Sequence, residues 1–132
     1  MNNNRLLLDT GTIIFLTTKG SYIPPGLEDE LNKSELLVSA VTEIELFANP
    51  LLPADEETKL RGFLKDKISI IDLTEPIKKE AIALRRNTEL TFPDCIIAAT
   101  VIVHNAVMLT SDNELLRLNW PKFKTINPDK YK

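Results

Sequence analysis

"FPDCIIAATVIVHNAVMLTSDNEL", residues 92–115, is the stretch whose reading decides the fold. From Cys95 to Val103 the chain is apolar except for Thr100. A helix that is hydrophobic on every side has to be buried on every side, so residues 93–105 are expected to form a central helix. Pro93 suits its first turn, and Asp94 opens it. After His104-Asn105 comes a short apolar run rich in strand formers, Ala106–Thr110, which reads as a strand. Asp112 follows it directly and precedes a short helical pattern, "NELLRL", residues 113–118. A buried helix headed by one acid, then a strand followed by another, is what an α/β sheet with helices on both faces requires.

The rest of the chain extends that pattern. Strands are expected at about Arg5–Leu8, Glu35–Ser39, Ile68–Leu73 and Lys122–Ile126, in addition to Ala106–Thr110. Between them lie helical patterns: "GLEDELNK" (26–33), "TEIELFA" (42–48), "ADEETKLRGFLKDK" (54–67) and "TEPIKKEAIALRRN" (74–87). The third of these has acids in its first turn and lysines in its last, as the helix dipole favours. The fourth opens with Thr74 and Pro76, a cap followed by a helix-starting proline. Strand–helix alternation predicts βαβ units, a parallel sheet and a single α/β domain over 1–132. The polar tail "NPDKYK", 127–132, is expected to be loose.

Composition narrows the chemistry. The chain has 132 residues, 43% hydrophobic, with a net charge of −3, one cysteine and one histidine. Cys95 alone allows no internal disulfide and no Cys-rich zinc site, and one histidine excludes a two-histidine metal site. His104, beside the apolar run, reads as a helix-end residue. A charge of −3 argues against a general nucleic-acid coat, though not against a local basic patch. The sequence contains no apolar run of membrane-spanning length and no signal-peptide pattern, so a cytoplasmic protein is expected. Any catalysis falls to carboxylates.

Four acids then stand out: Asp9 after the first strand, Glu45 early in the helix after the second, Asp94 at the head of the buried helix, and Asp112 after the fourth strand. Strand C-termini and helix N-termini of a parallel α/β sheet share one edge, so these acids should meet there. Each also has a plain structural explanation. Thr42-x-x-Glu45 and Ser111-x-x-Glu114 fit capping boxes, and Asp9 or Asp94 can serve as caps. Two carboxylates about 4 Å apart repel by roughly 4 kcal/mol at an effective dielectric near 20. Either one of them protonates, or a hard divalent ion with oxygen ligands, Mg²⁺ or Mn²⁺, joins them. Such ions activate water and steady a leaving oxygen in phosphodiester hydrolysis.

The stretches "LLLDTGTIIFL" (6–16), "VSAVTEIELF" (38–47), "FPDCIIAATVIVHNAVMLTSDNEL" and "FKTINP" (123–128) together resemble the PIN-domain family. Within it, the chain is most similar to the small ribonuclease toxins of bacterial type II toxin–antitoxin pairs, the VapC-like proteins. The resemblance covers nearly the whole chain, and "PDCIIAAT…LTSD" is its most specific part. It implies a three-layer α/β/α domain with a central parallel five-stranded sheet in the order 3-2-1-4-5. It also implies a metal-binding acidic site of Asp9, Glu45, Asp94 and Asp112, with Thr10 beside the first acid and Thr110 before the last. The activity implied is Mg²⁺- or Mn²⁺-dependent endoribonuclease action on RNA, restrained by a cognate antitoxin, in a protein that is usually a homodimer.

Two positions depart from the pattern or stay open. The family often has Asp-Phe two and three residues after the last acid, where this chain has Glu114 and Leu115; Glu114 is either an auxiliary acid or a cap. If Val41, Ile44, Phe47, Ala48 and Leu51 form the buried face of their helix, Glu43 and Glu45 flank it on opposite sides. The helical wheel does not choose between them. Arg85 and Arg86 are candidates for RNA phosphate contacts, with interaction at a helix C-terminus as the alternative. Leu46 would point away from that face toward Leu51, Leu52 and Pro53, as a surface for an antitoxin or a second copy.

Other function classes fit less well. Phosphoryl transfer through an aspartyl phosphate needs a second acid two residues after the nucleophile or an acidic pair at the first strand's end. Gly11 occupies the first place, and Asp9 stands alone. A catalytically silent PIN-like scaffold binding RNA or protein would be marked by the loss of an acid, and all four are present.

Overall fold

The computed structural model describes residues 4–132. Five strands, β1 (Arg5–Leu8), β2 (Glu35–Ser39), β3 (Ile68–Ile71), β4 (Val107–Leu109) and β5 (Thr125–Ile126), form one sheet in the order β3-β2-β1-β4-β5. Every pairing is parallel. The helices are α1 (Thr10–Thr17), α2 (Pro25–Lys33), α3 (Ala40–Phe47), α4 (Ala54–Asp66), α5 (Glu75–Asn87), α6 (Phe92–Val103) and α7 (Asn113–Leu116), with a closing 3₁₀ turn at Pro128–Tyr131.

Because side chains alternate across a strand, the central strands feed two cores. Leu7, Leu37 and Met108, aligned in register, face the layer of α5 and α6. Leu6, Leu8, Leu36, Val38 and Leu109 face the layer built on α1, α2 and α4. Strands covered on both faces need apolar residues at successive positions, which explains why Leu6-Leu7-Leu8 does not alternate. Every residue of α6 from Cys95 to Ile102 is buried, as its sequence requires. It ends at His104, whose carbonyl accepts from Arg5 Nη1 at 3.0 Å, and at Asn105, in the left-handed conformation with φ 52°.

Connections leave β1 toward β2 on one side and return beside it at β4, so the strand order reverses there. In open α/β sheets the crevice at such a reversal, beyond the strand carboxyl ends, is where ligands bind.

Several elements differ from expectation. β3, β4 and β5 are shorter than their apolar runs. α1 has no counterpart among the helical patterns read from the sequence: "TGTIIFLT" is too evenly apolar and β-branched to show a helical stripe. The face of α3 is also turned. Thr42 and Leu46 are buried, while Ile44 is 66% and Leu51 84% exposed, so Leu46 is core and not a partner surface. Ser39 caps the helix by accepting from Val41 N at 3.1 Å, so Thr42 lies inside it. The polar tail expected at 127–132 carries a short 3₁₀ turn, Pro128–Tyr131. Asn127 caps the 3₁₀ turn, and the Tyr131 ring packs over Gly26 of α2.

Candidate active site

The carboxyl end of β1 delivers Asp9 as the N-cap of α1, where Oδ1 accepts from Thr12 N at 2.8 Å. Its other oxygen accepts from the Thr110 hydroxyl. Thr110 is fully buried at the end of β4, and its Oγ1 also accepts from Asp112 N at 3.0 Å. Asp112 in turn caps α7, with Oδ1 accepting from Glu114 N at 2.8 Å and Leu115 N at 3.3 Å. One buried hydroxyl therefore ties the acid of β1 to the acid of β4 across the reversal point.

The other two acids arrive from helices. Glu45 is on α3, and its Oε1 accepts from Thr10 Oγ1 at 2.9 Å, beside Asp9. That contact distinguishes it from Glu43, which spacing alone leaves level with it, and Ser39 as the N-cap of α3 removes the capping-box reading of Thr42 and Glu45. Asp94 is in the first turn of α6, whose N-cap Thr91 accepts from Asp94 N at 3.3 Å. Burial pushes the Asp94 carboxyl above its ordinary value, against a hydrogen bond from Thr91 that lowers it. The negative charges of Asp112, Glu45 and Glu114 raise it further. The Asp94 carboxyl thus lies within the electrostatic reach of three other acids.

Among the described residues, no three His, Cys, Asp or Glu side chains stand close enough to hold a single ion as they are placed. Asp9 is engaged through both oxygens, Asp112 through its cap and Glu45 through Thr10. As a donor set they fit a hard cation, being all oxygen, with His104 at the far end of α6 and Cys95 buried in the core.

Glu114 is exposed on α7, and its backbone N–H, not its carboxylate, takes part in the cap; Asp112, not Ser111, is the capping residue. Arg85 donates from Nη1 to Leu90 O at 2.9 Å, bracing the loop before α6, which favours a structural role. Arg86 is exposed. Cys95 is buried, and burial pushes its thiol up, which makes it an unreactive core residue.

The PIN domain family model matches residues 6–121, a span that includes all four acids. The chain belongs to the PIN-domain family. No curated protein matches the sequence. Among solved structures, the PIN chain is similar to one in VapBC2 from Rickettsia felis bound to a DNA fragment from their promoter, at 20% identity and a TM-score of 0.76 over 93% of this chain and 98% of that one. It is similar to one in DNA-bound VapBC from Salmonella typhimurium at 20% identity, TM-score 0.75, over 95% and 98%. A chain of FitAcB from Neisseria gonorrhoeae aligns at 22% identity, TM-score 0.66, over 93% and 97%. At these identities the likeness is one of fold: the α/β/α PIN architecture with sheet order 3-2-1-4-5. Among the described residues no helix is long and apolar enough to cross a membrane.

Proposed function

We propose that this PIN-domain protein is a Mg²⁺- or Mn²⁺-dependent endoribonuclease, the toxin of a toxin–antitoxin pair. The observation that supports it most is the meeting of Asp9, Thr110 and Asp112 across the β1–β4 reversal point, with Glu45 held beside Asp9 through Thr10. Caps account for Asp9 and Asp112 one by one. They do not account for a buried threonine joining the two, or for Asp94 among the charges of Asp112, Glu45 and Glu114. Family membership and the toxin–antitoxin complexes among the structural neighbours support the same reading.

Asp9, Glu45, Asp94 and Asp112 would hold the metal, which when bound supplies an activated water and a charge against the leaving oxygen. The chain's own part is positional. Thr110 and the Thr12 amide fix the orientation of Asp9, Thr10 fixes Glu45, and the rigid buried helix α6 fixes Asp94. Arg86 and Glu114 stay exposed, as an RNA contact and an auxiliary acid would need to be. An antitoxin would restrain the enzyme. The exposed apolar residues Leu73, Ile82 and Phe92 on the α5–α6 side support association with a second copy.

The test is cleavage of a mixed RNA pool with Mn²⁺ or Mg²⁺ against excess EDTA, with wild type beside Asp94→Asn. Cutting that needs both the metal and Asp94 is expected. Cutting that persists in EDTA or in the variant refutes the carboxylate–metal nuclease. Folded, partner-free wild type that cuts nothing points to the silent scaffold.

A further inference from the structure

Beside the acidic edge lies a cavity that the carboxylates do not use. It measures about 540 Å³ and is bounded by α1, the segment leading into α2 and the C-terminal 3₁₀ turn. Its border with the acids is formed by Gly11, next to Thr10, and by Ser111, between Thr110 and Asp112. Its apolar walls come largely from Phe15 and Tyr22 over buried Leu27. Tyr22 is 72% exposed and Phe15 38% exposed. The backbone around Tyr22 is constrained: Gly20 turns the chain with φ 87°, Ser21 N donates to Thr18 O at 3.2 Å, and Pro24 and Pro25 follow. At the rim, Asp129 and Lys132 pair at 3.0 Å.

We infer that this cavity receives an unpaired nucleobase of the substrate RNA, next to the phosphodiester that the acids act on. The inference rests on the nuclease reading for the source of the strand. A base has a flat π-face, which can stack on an aromatic ring, and a polar edge, which a carboxylate, an ammonium and a hydroxyl at the rim can read. A protein side chain would also fit an apolar cavity, but the shared border with the acids favours a group carried on a nucleotide that flanks the scissile bond.

Gly11 is an independent sign. It sits in the first turn of α1 without positive φ, and a Cβ there would meet only Asp9 Oδ1, at an ordinary 3.9 Å. The fold therefore gives no reason for glycine, and alanine is the better helix former by up to about 1 kcal/mol. A ligand passing close over α1, from the acids into the cavity, supplies the reason.

The experiment measures binding of short single-stranded RNA homopolymers of A, C, G and U by fluorescence anisotropy with Mg²⁺. Asp94→Asn serves as the uncut parent, to which Tyr22→Ala or Gly11→Val is added. Base stacking on one ring is worth about 1–3 kcal/mol, so Tyr22→Ala should weaken the preferred homopolymer about tenfold or more. Gly11→Val should weaken it likewise, while Gly11→Ala should leave thermal stability unchanged or higher. Binding of all four RNAs within about twofold of the parent in both variants overturns the inference, as does a parent that binds none. Unchanged RNA binding with weakened association to a co-purifying protein assigns the cavity to a protein and overturns it too. Tyr22-dependent binding by a protein that cuts no RNA upholds the cavity and refutes only the nuclease.

Discussion

Replacing Thr110 by Val tests whether one buried hydroxyl assembles the acidic edge. Valine keeps the shape and removes the oxygen. The Asp9 carboxylate then loses a charge-assisted hydrogen bond, worth about 1.5–3 kcal/mol, and Asp112 N–H loses its acceptor, at about 1 kcal/mol more. Allowing for water at the partly exposed Asp9, the variant should be less stable by about 2–4 kcal/mol. Unfolding entropy near 2.1 cal/mol/K per residue makes 1 kcal/mol worth about 3–4 °C for a chain of this length, so Tm should fall by about 7–14 °C. Thr110→Ser keeps the oxygen and drops one methyl, at about 0.8 kcal/mol or roughly 3 °C. Circular dichroism melts in EDTA at neutral pH should rank wild type above Ser and Ser above Val. A Val variant within about 3 °C of wild type, melting above the Ser variant, would refute the reasoning and leave packing as what holds the edge.

The acids and α3 supply two further expectations. Asp94 ionises less readily in the folded chain than in the unfolded one, so ionisation of this group weakens the metal-free fold. Its unfavourable contribution is complete above the raised folded value and disappears as pH falls toward 3.8. Asp94→Asn should therefore raise the Tm of the metal-free protein at pH 7, by an increment that shrinks as pH falls through that window. Melts across pH in EDTA check this, and an increment that grows toward acid would contradict it. Thr42 is fully buried, and among the described residues its Oγ1 is the one buried side-chain polar atom without a partner. Thr42→Val should stabilise the protein by about 1 kcal/mol, seen as a rise in the urea midpoint at unchanged slope.

The sequence discloses the central elements well, for a physical reason. β1, β2 and α6 lie in the middle of the sheet or beneath it, where burial on every side leaves nothing but apolar residues to choose. Asp9 and Asp94 are legible because one directly follows β1 and the other lies in the first turn of α6. What the sequence hides is side-chain choice among equivalent positions. Ser39 and Thr42 are both able to cap α3; Ser39 does so, and Thr42 lies with Leu46 on its buried face. Glu45 becomes distinct from Glu43 only through Thr10, 35 residues away. Thr110 shows as a strand-end hydroxyl, but nothing local reveals that it donates to the Asp9 carboxylate while accepting from the Asp112 backbone N–H. The cavity was equally invisible, since Phe15, Tyr22 and Lys132 come from three separate segments.

The pairing of β1 with β4 has a consequence in time. Leu6 lies beside Val107, and the Asp9–Thr110 bond closes a separation of 101 residues. Ring closure over such a distance comes late and slowly compared with the turns of helices. As the chain leaves the ribosome, Asp9 and Glu45 emerge early, but Asp9 remains without Thr110, whose hydroxyl donates to it. A polypeptide stopped before Thr110 has three of its four acids and no assembled edge. Whatever chemistry the edge performs is withheld until most of the molecule has been made.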